Sequence, residues 1–190
     1  MTTWYRRYGK RGLDVGLASF GLVLFALPML WFAWAVRNEL GRPIFFRQIR
    51  IGTGGKSFTI LKFRTMTPDK RIGTSGHWLR RTAMDELPQL FNILRGQMSF
   101  VGPRPLIPED LDQLKAFPGG ERRFSVRPGL AGLAQIRGPK VPTLGQRLRW
   151  DLTYVDRCSL GLDLKILLGS VGVTLRGAWE GSSPSPEGGA

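Results

Sequence analysis

Two adjacent carboxylates, Asp85 and Glu86, stand in a chain that is otherwise strongly basic, and they are the residues best suited to chemistry. Taken alone, the pair reads as a helix cap, since Asp is favoured at an N-cap and Glu in the first turn. A carboxylate at a helix N-terminus is also stabilised as an anion, which keeps it ready as a nucleophile or as a ligand to a hard cation. Cationic residues recur in the segments around it. Lys62 and Arg64 flank Phe63 at the end of a predicted strand, Arg80 and Arg81 precede the acidic pair, Arg104 lies between Pro103 and Pro105, and Arg127 precedes Pro128 and Gly129. Arginines held beside Pro and Gly have restricted backbones, and the guanidinium fork matches phosphate oxygens. Any one of them reads equally well as surface charge; the set favours a phosphate site. Two carboxylates among such cations suit phosphoryl chemistry, one attacking phosphorus and the other holding a magnesium ion that neutralises phosphate oxygens.

The composition narrows the partners. The 190 residues carry 28 Lys and Arg against 14 Asp and Glu, a net charge of +14. That excess calls for an anionic partner: nucleic acid, anionic lipid or a phosphorylated substrate. A single histidine, His77, and a single cysteine, Cys158, exclude a His/Cys zinc centre, so the metal expected here is a hard ion on carboxylates, Mg2+. The lone cysteine also excludes an internal disulfide. His77 reads as structural or surface, and Cys158 as structural. Gly55-Lys56-Ser57 imitates a phosphate-binding loop, but the glycine required five residues earlier is Arg50. Residues 57–60 then alternate like a strand where that motif needs a helix, so the segment reads as a hairpin turn.

Several elements must position these residues. Residues 15–36 contain no charge and, as a helix, would extend about 33 Å at roughly 1.5 Å per residue, just enough to cross a bilayer. Two features oppose a plain crossing. Pro28 lies just past the middle, and basic residues flank both ends, whereas a spanning helix carries its Lys/Arg excess on one side. A helix–break–helix that dips into one leaflet and returns fits better, with Trp31 and Trp34 near the headgroups. A cleaved secretory signal ending at Ala33-Trp34-Ala35 is the competing reading. A β-hairpin follows, over residues 43–51 and 56–66, then a polar loop over 65–76. Helical spacing returns over 77–94, with Pro88 opening a second helix in its first turn, so that Asp85 and Glu86 fall at or just before that N-terminus. Residues 101–108 are too proline-rich for helix or central strand, 109–117 read as a short helix, and 127–140 as a Gly/Pro-rich loop. Residues 144–155 and 162–176 read as helices. The apolar face of the latter, Leu164, Leu167, Leu168, Val171 and Leu175, could lie on the membrane surface or pack in the core, with core the default. Residues 177–190 read as a disordered tail.

The ordered motifs resemble those of the monotopic phosphoglycosyl transferases, bacterial enzymes that begin glycan assembly on a lipid carrier. They are Lys10-Arg11-Gly12-Leu13-Asp14, Phe45-Phe46-Arg47-Gln48 with Arg50-Ile51-Gly52, Lys62-Phe63-Arg64-Thr65-Met66, Asp85-Glu86-Leu87-Pro88-Gln89-Leu90 with Asn92, Met98 to Pro105, Arg127 to Gly132 with Ala134-Gln135, and Asp163-Leu164-Lys165-Ile166. The resemblance implies a mixed α/β (α+β), helix-rich catalytic domain with a small hairpin. A re-entrant helix broken near Pro28 and surface amphipathic helices would anchor it. It implies an anchor over residues 1–38 and a catalytic domain over 39–176 on the cytoplasmic face of the bacterial inner membrane. Asp85 is expected to attack the β-phosphate of a UDP-sugar, releasing UMP, and polyprenyl phosphate then to attack the phosphosugar–aspartate. Glu86 is expected to bind Mg2+ or handle a proton. Lys62, Arg80 and Arg104, and with a less defined role Arg127, match family cations that hold phosphates. Membrane lipids, the UDP-sugar and the polyprenyl phosphate are the expected partners, and nucleic acid is not.

Two departures stand out. Many members have a serine where this chain has Leu27, and an Asn-Gly-Arg segment where it has Ile136-Arg137-Gly138-Pro139-Lys140, which leaves the donor sugar open. The chain matches the small form, without the extra N-terminal transmembrane helices of larger members. The alternative drawn from charge alone is a basic membrane-surface or nucleic-acid-binding module without chemistry.

Overall fold

The computed structural model describes residues 4–137 and 143–175. Gly138, Pro139, Lys140, the side chain of Leu175 and the expected tail over 177–190 lie outside the described residues.

The chain begins with two helices that meet at an angle. Helix α1 (Lys10–Leu24) is entered through a π-helical turn at Tyr5–Gly9, and α2 (Ala26–Leu40) follows after Phe25 alone, whose backbone is not helical. The two directions differ by 63°. The reason is Pro28, which has no N–H to give the carbonyl of Leu24. The ladder continues on either side of that gap, with Phe25 N on Gly21 O at 2.9 Å and Met29 N on Phe25 O at 2.8 Å. The bend therefore falls three residues before the proline, which itself sits in the first turn of α2. Among the described residues no single helix is long and apolar enough to cross a membrane; the bent pair reaches that length only together.

Strands β1 (Phe45–Ile51) and β2 (Ser57–Phe63) form the expected antiparallel hairpin, with Phe45 opposite Phe63 and Ile51 opposite Ser57. The turn between them needs Gly54 and Gly55 at φ 65° and 73°, which only glycine adopts freely. Helix α3 (Thr74–Arg81) starts inside the segment read as loop, because Glu39 at the end of α2 accepts from the N–H groups of Thr74 and Ser75 and so caps it. A 3-10 turn at Met84–Glu86 precedes α4 (Gln89–Leu94), and Pro88 stands at the N-cap of α4 instead of inside its first turn.

Three elements lie where the sequence indicated no helix or strand. Strand β3 (Ser99–Val101) pairs in parallel with β4 (Gly129–Ala131), and α6 (Leu133–Arg137) follows. The two backbones pass at a distance only glycine permits: a Cβ on Gly129 would lie 2.1 Å from Gly102 N, and one on Gly102 would lie 2.3 Å from Arg127 O. The helix expected over 109–117 is divided into a 3-10 turn at Pro108–Asp110 and α5 (Leu111–Lys115). Helix α7 (Leu144–Arg157) begins with a reciprocal capping box between Thr143 and Gln146.

Helix α8 (Leu160–Leu175) corrects an expectation. Its buried residues are Asp163 and Ile166, while Leu164, Leu168 and Val171 of the face read as core are exposed. Asp163 fixes the rotation. Its Oδ2 accepts from Lys10 Nζ at 2.5 Å and Tyr5 OH at 2.6 Å, and its Oδ1 accepts from Tyr154 OH at 2.8 Å. The next residue of α1, Arg11, donates to the carbonyls of Ile93 at 2.6 Å and Leu94 at 2.7 Å. Asp14 accepts from the Ser99 hydroxyl at 2.9 Å and Phe100 N at 3.1 Å. Ala18 then packs among Ile60, Leu90, Ile93 and Met98. Helix α1 is thus part of the domain core.

Candidate active site

The acidic pair occupies the 3-10 turn, and the chain enters that turn through Ala83 at φ 56° and ψ 17°. A left-handed backbone on a residue with a Cβ costs on the order of 1 kcal/mol. This strain lies where α3 must reverse to present Asp85 and Glu86. From β2, Lys62 reaches across, its Nζ 2.5 Å from Glu86 Oε1 and 4.0 Å from Asp85 Oδ2. Arg104 approaches from the proline-rich loop, with Nη2 3.7 Å from the same Glu86 oxygen. Arg80 arrives from α3. Gly76 allows this helix to lie against Thr65, since a Cβ there would meet Thr65 O at 2.2 Å. One turn later Arg80 Nε donates to Thr65 Oγ1 at 2.9 Å, and Nη2 lies 3.0 Å from Met66 Sδ.

These surroundings separate the two carboxyls. Burial pushes Asp85 up to about 6, against the pull of Lys62 and, more weakly, of Arg80 and Arg104. Burial raises Glu86 as well, but Lys62, Arg104 and Arg50 together outweigh it and hold its carboxyl below the usual range. Glu86 is therefore a permanent anion, while Asp85 changes charge near neutrality. The expected helix-end stabilisation is not the cause. Helix α4 begins only at Gln89, is six residues long, and takes no cap from either side chain. Side-chain cations set the charge instead.

Lys62, Arg80 and Arg104 thus gather on the acidic pair, and two other predicted residues do not. The Arg64 guanidinium donates to the carbonyls of Leu40, Gly41 and Arg42, where it caps the C-terminus of α2. Arg127 Nε donates to Gly96 O at 3.2 Å, beyond the end of α4 and close to Asp14. Both satisfy carbonyls at helix ends. Arg50 joins the cationic group without having been singled out. It donates to Pro105 O at 3.1 Å and Gln48 Oε1 at 2.6 Å. Burial, then repulsion by Arg104, lower its pKa to about 10. The available signal was an arginine in strand register opposite Phe58. His77 is exposed, and Cys158 is buried beside Tyr154; neither reaches the site.

On its other side the acidic turn opens into an apolar cavity of about 420 Å³. Phe20, Leu24 and Phe25 at the helix break line it, with Leu90, Leu130 and Leu167, and Ala83 and Glu86 of the acidic turn also line it. Among the described residues no three metal-ligating side chains come together. Asp85 and Glu86 supply two carboxylates. A magnesium ion there would draw its remaining oxygens from a substrate phosphate and water, which is how that ion is usually held. The donor set fits a magnesium ion that arrives with a phosphorylated substrate. A charge-matched phosphate site and an apolar cavity that share one acidic turn can bring a water-soluble phosphate ester and an apolar chain together there.

Comparison with known proteins agrees with this geometry. The family model described as bacterial sugar transferase matches residues 5–177. The sugar transferase EpsL of Bacillus subtilis is 41% identical over 170 residues, covering 83% of each chain. A UDP-glucose:undecaprenyl-phosphate glucose-1-phosphate transferase of Caulobacter vibrioides is 42% identical over 181 residues, covering 85% of this chain and 68% of the relative. A Klebsiella pneumoniae protein of the same name is 39% identical over 177 residues, covering 83% of this chain but only 38% of that longer relative.

Proposed function

The chain belongs to the bacterial sugar transferase family, and from that premise we propose that it moves a sugar 1-phosphate from a UDP-sugar to undecaprenyl phosphate. The observation that carries the reading is the position of the Asp85–Glu86 turn, with Lys62, Arg80 and Arg104 on one side and the apolar cavity on the other. The names of the Caulobacter and Klebsiella relatives support the class of donor and acceptor.

In this reading an Asp85 oxygen attacks the β-phosphorus of the UDP-sugar. The bond from that phosphorus to the bridging oxygen breaks and UMP leaves with the electron pair. The phosphosugar stays on Asp85 as an acyl phosphate. A phosphate oxygen of undecaprenyl phosphate then attacks the same phosphorus, the bond to Asp85 breaks, and the carboxylate is restored. Lys62, Arg80 and Arg104 orient the diphosphate and balance the charge that gathers on its oxygens. Magnesium, held by Asp85, Glu86 and phosphate oxygens, would supply further charge neutralisation. Glu86, fixed as an anion by Lys62, keeps that lysine aimed at the reacting group.

The same reading places the bent pair of helices in one leaflet, with the anchor over residues 1–38 and the catalytic domain over 39–176 on the cytoplasmic face of the inner membrane. The exposed Phe20, Val23, Leu27, Leu30, Trp31 and Trp34 support it, as do Leu164, Leu168 and Val171 on α8. Exposed large apolar side chains on both halves of the bent pair and on α8 are what a membrane-facing surface requires. The acceptor's isoprenoid tail then enters the cavity from the bilayer, and its phosphate reaches the acidic turn where Ala83 and Glu86 line that cavity.

The test is UMP release by the full chain in lipid nanodiscs with a panel of UDP-sugars, Mg2+ and undecaprenyl phosphate. Release is expected with the parent chain and lost in Asp85→Asn. Without acceptor, intact mass should rise by one phosphosugar, mapped to Asp85. Full activity in Asp85→Asn would overturn the covalent route.

A further inference from the structure

The loop that carries Arg104 is gripped at every residue. Four consecutive carbonyls accept from four different places. Pro103 O takes Gly129 N at 3.0 Å, Arg104 O takes Arg123 Nη2 at 2.7 Å, Pro105 O takes Arg50 Nη1 at 3.1 Å, and Leu106 O takes Ile51 N at 2.9 Å. Two of these donors are backbone groups, as in any sheet or turn. The other two are arginines, and Arg123 is fully buried with its own counter-ion: the same Nη2 donates to Asp151 Oδ2 at 2.8 Å, from inside α7.

A buried ion pair is a poor way to stabilise a fold. Desolvating both charges offsets most of their attraction, and apolar residues of equal volume usually serve as well or better. Asp151 shows the cost directly, since burial raises its carboxyl despite the arginine beside it. What the pair does provide is a charge-assisted hydrogen bond, stronger and more directional than a neutral one, aimed at one carbonyl. That carbonyl belongs to the residue whose guanidinium lies over Glu86. Between two prolines, Arg104 has little backbone freedom of its own, and fixing its carbonyl removes most of the remainder.

We infer that Arg123 and Asp151 are a positioning pair, whose work is to fix Arg104 over the acidic turn before the donor arrives. This rests on the transfer reading above. Arg50, holding the next carbonyl, is the second and weaker part of the same clamp. Preset cations need no reorganisation when charge develops on the diphosphate, and a displacement of about 1 Å at such a group costs about a hundredfold in rate. The loss should therefore appear in turnover more than in donor affinity.

The experiment compares five full-length chains in nanodiscs by UMP release and thermal unfolding: the parent, Arg104→Gln, Arg123→Lys, Arg123→Met with Asp151→Leu, and all three sites as Arg104→Gln, Arg123→Met and Asp151→Leu. The apolar double variant is expected to unfold near the parental temperature, because neither charge is left buried alone. Its kcat is expected to fall about 10- to 100-fold with a donor KM change under about threefold. Adding Arg104→Gln should then cost little beyond Arg104→Gln alone, since both changes remove one interaction. Arg123→Lys should keep kcat within about threefold, because both hydrogen bonds leave one nitrogen and one ammonium can make both. A double variant with parental stability and parental kcat overturns the inference, as does a triple variant whose loss is the product of the separate losses. Should the double variant not fold, Arg123→Lys decides: a loss beyond about thirtyfold at unchanged unfolding temperature overturns it. A parent chain that releases no UMP with any donor overturns the transfer reading itself, and this one with it.

Discussion

Two acidic groups in this protein, Asp163 fully enclosed and Asp85 half-buried, are built in opposite ways. Asp163 has every oxygen satisfied, by Lys10, Tyr5 and Tyr154, and burial and the neighbouring carboxylate push both phenols upward so that they remain donors. Asp85 accepts no hydrogen bond from any described residue and has its cation 4.0 Å away. Its backbone is entered through a strained alanine, and the site opens to a cavity. Both regions pair carboxylates with lysine. What separates chemistry from architecture is completeness: the closed cluster fastens α1 to α8, while the open one leaves a carboxylate available to react.

Four measurements can break or sharpen this contrast. The largest effect is expected at Asp85. Replacement by Asn should lower UMP release by at least about a thousandfold, the loss expected for a covalent nucleophile. The same substitution should stabilise the fold by about 1–3 kcal/mol in thermal unfolding at pH 7, because it removes a buried charge held near 6 against an ordinary 3.8. Asp163→Ala should do the reverse. It leaves Lys10 buried without its partner and should cost about 3–5 kcal/mol, seen as a lower unfolding temperature. A destabilised Asp85→Asn or a neutral Asp163→Ala would erase the distinction.

The third measurement is pH. The carboxyl of Asp85 is raised, so its protonated form favours the native state, and that stability is lost as pH rises through about 6. Activity runs the other way. On the proposed route the ionised form attacks, so kcat/KM should climb about tenfold per unit below that pH and level off above it, in buffers of constant ionic strength. A flat profile from pH 5 to 8 would remove Asp85 from its role. The smallest effect concerns the turn itself. Ala83→Gly relieves the left-handed strain and should stabilise by about 0.5–1 kcal/mol; a loss of stability would place the strain elsewhere.

Much of this was readable from residues in order, and the failures share one cause. The hairpin showed in the alternation of residues 57–60 and the glycines before them, and the helix break showed in Pro28. Lys62 showed in its place at a strand end, Arg80 in its nearness to the acidic pair, and Arg104 in its two flanking prolines. Arg64 and Arg127 carry the same local signature but serve carbonyls at distant helix ends, a distinction no neighbouring residue records. Strands of three residues, as in β3 and β4, are too short to show a period. The Arg123–Asp151 and Lys10–Asp163 pairs lie 28 and 153 positions apart and leave no local trace. Periodicity in α8 found an apolar face but not its direction; Asp163 turned that face outward.

Arg11 on the last carbonyls of α4, and Ala18 packed among Ile60, Leu90, Ile93 and Met98, weld the first half of the broken helix to the element that follows the acidic turn. The bent helix pair is therefore not a leash that can be cut away from the enzyme, because removing it would uncover the interior of the domain. In the proposed placement it also sets the altitude of the reaction: Asp85 would keep one height relative to the apolar band, so that a lipid acceptor has only to diffuse sideways while a nucleotide donor descends to meet it.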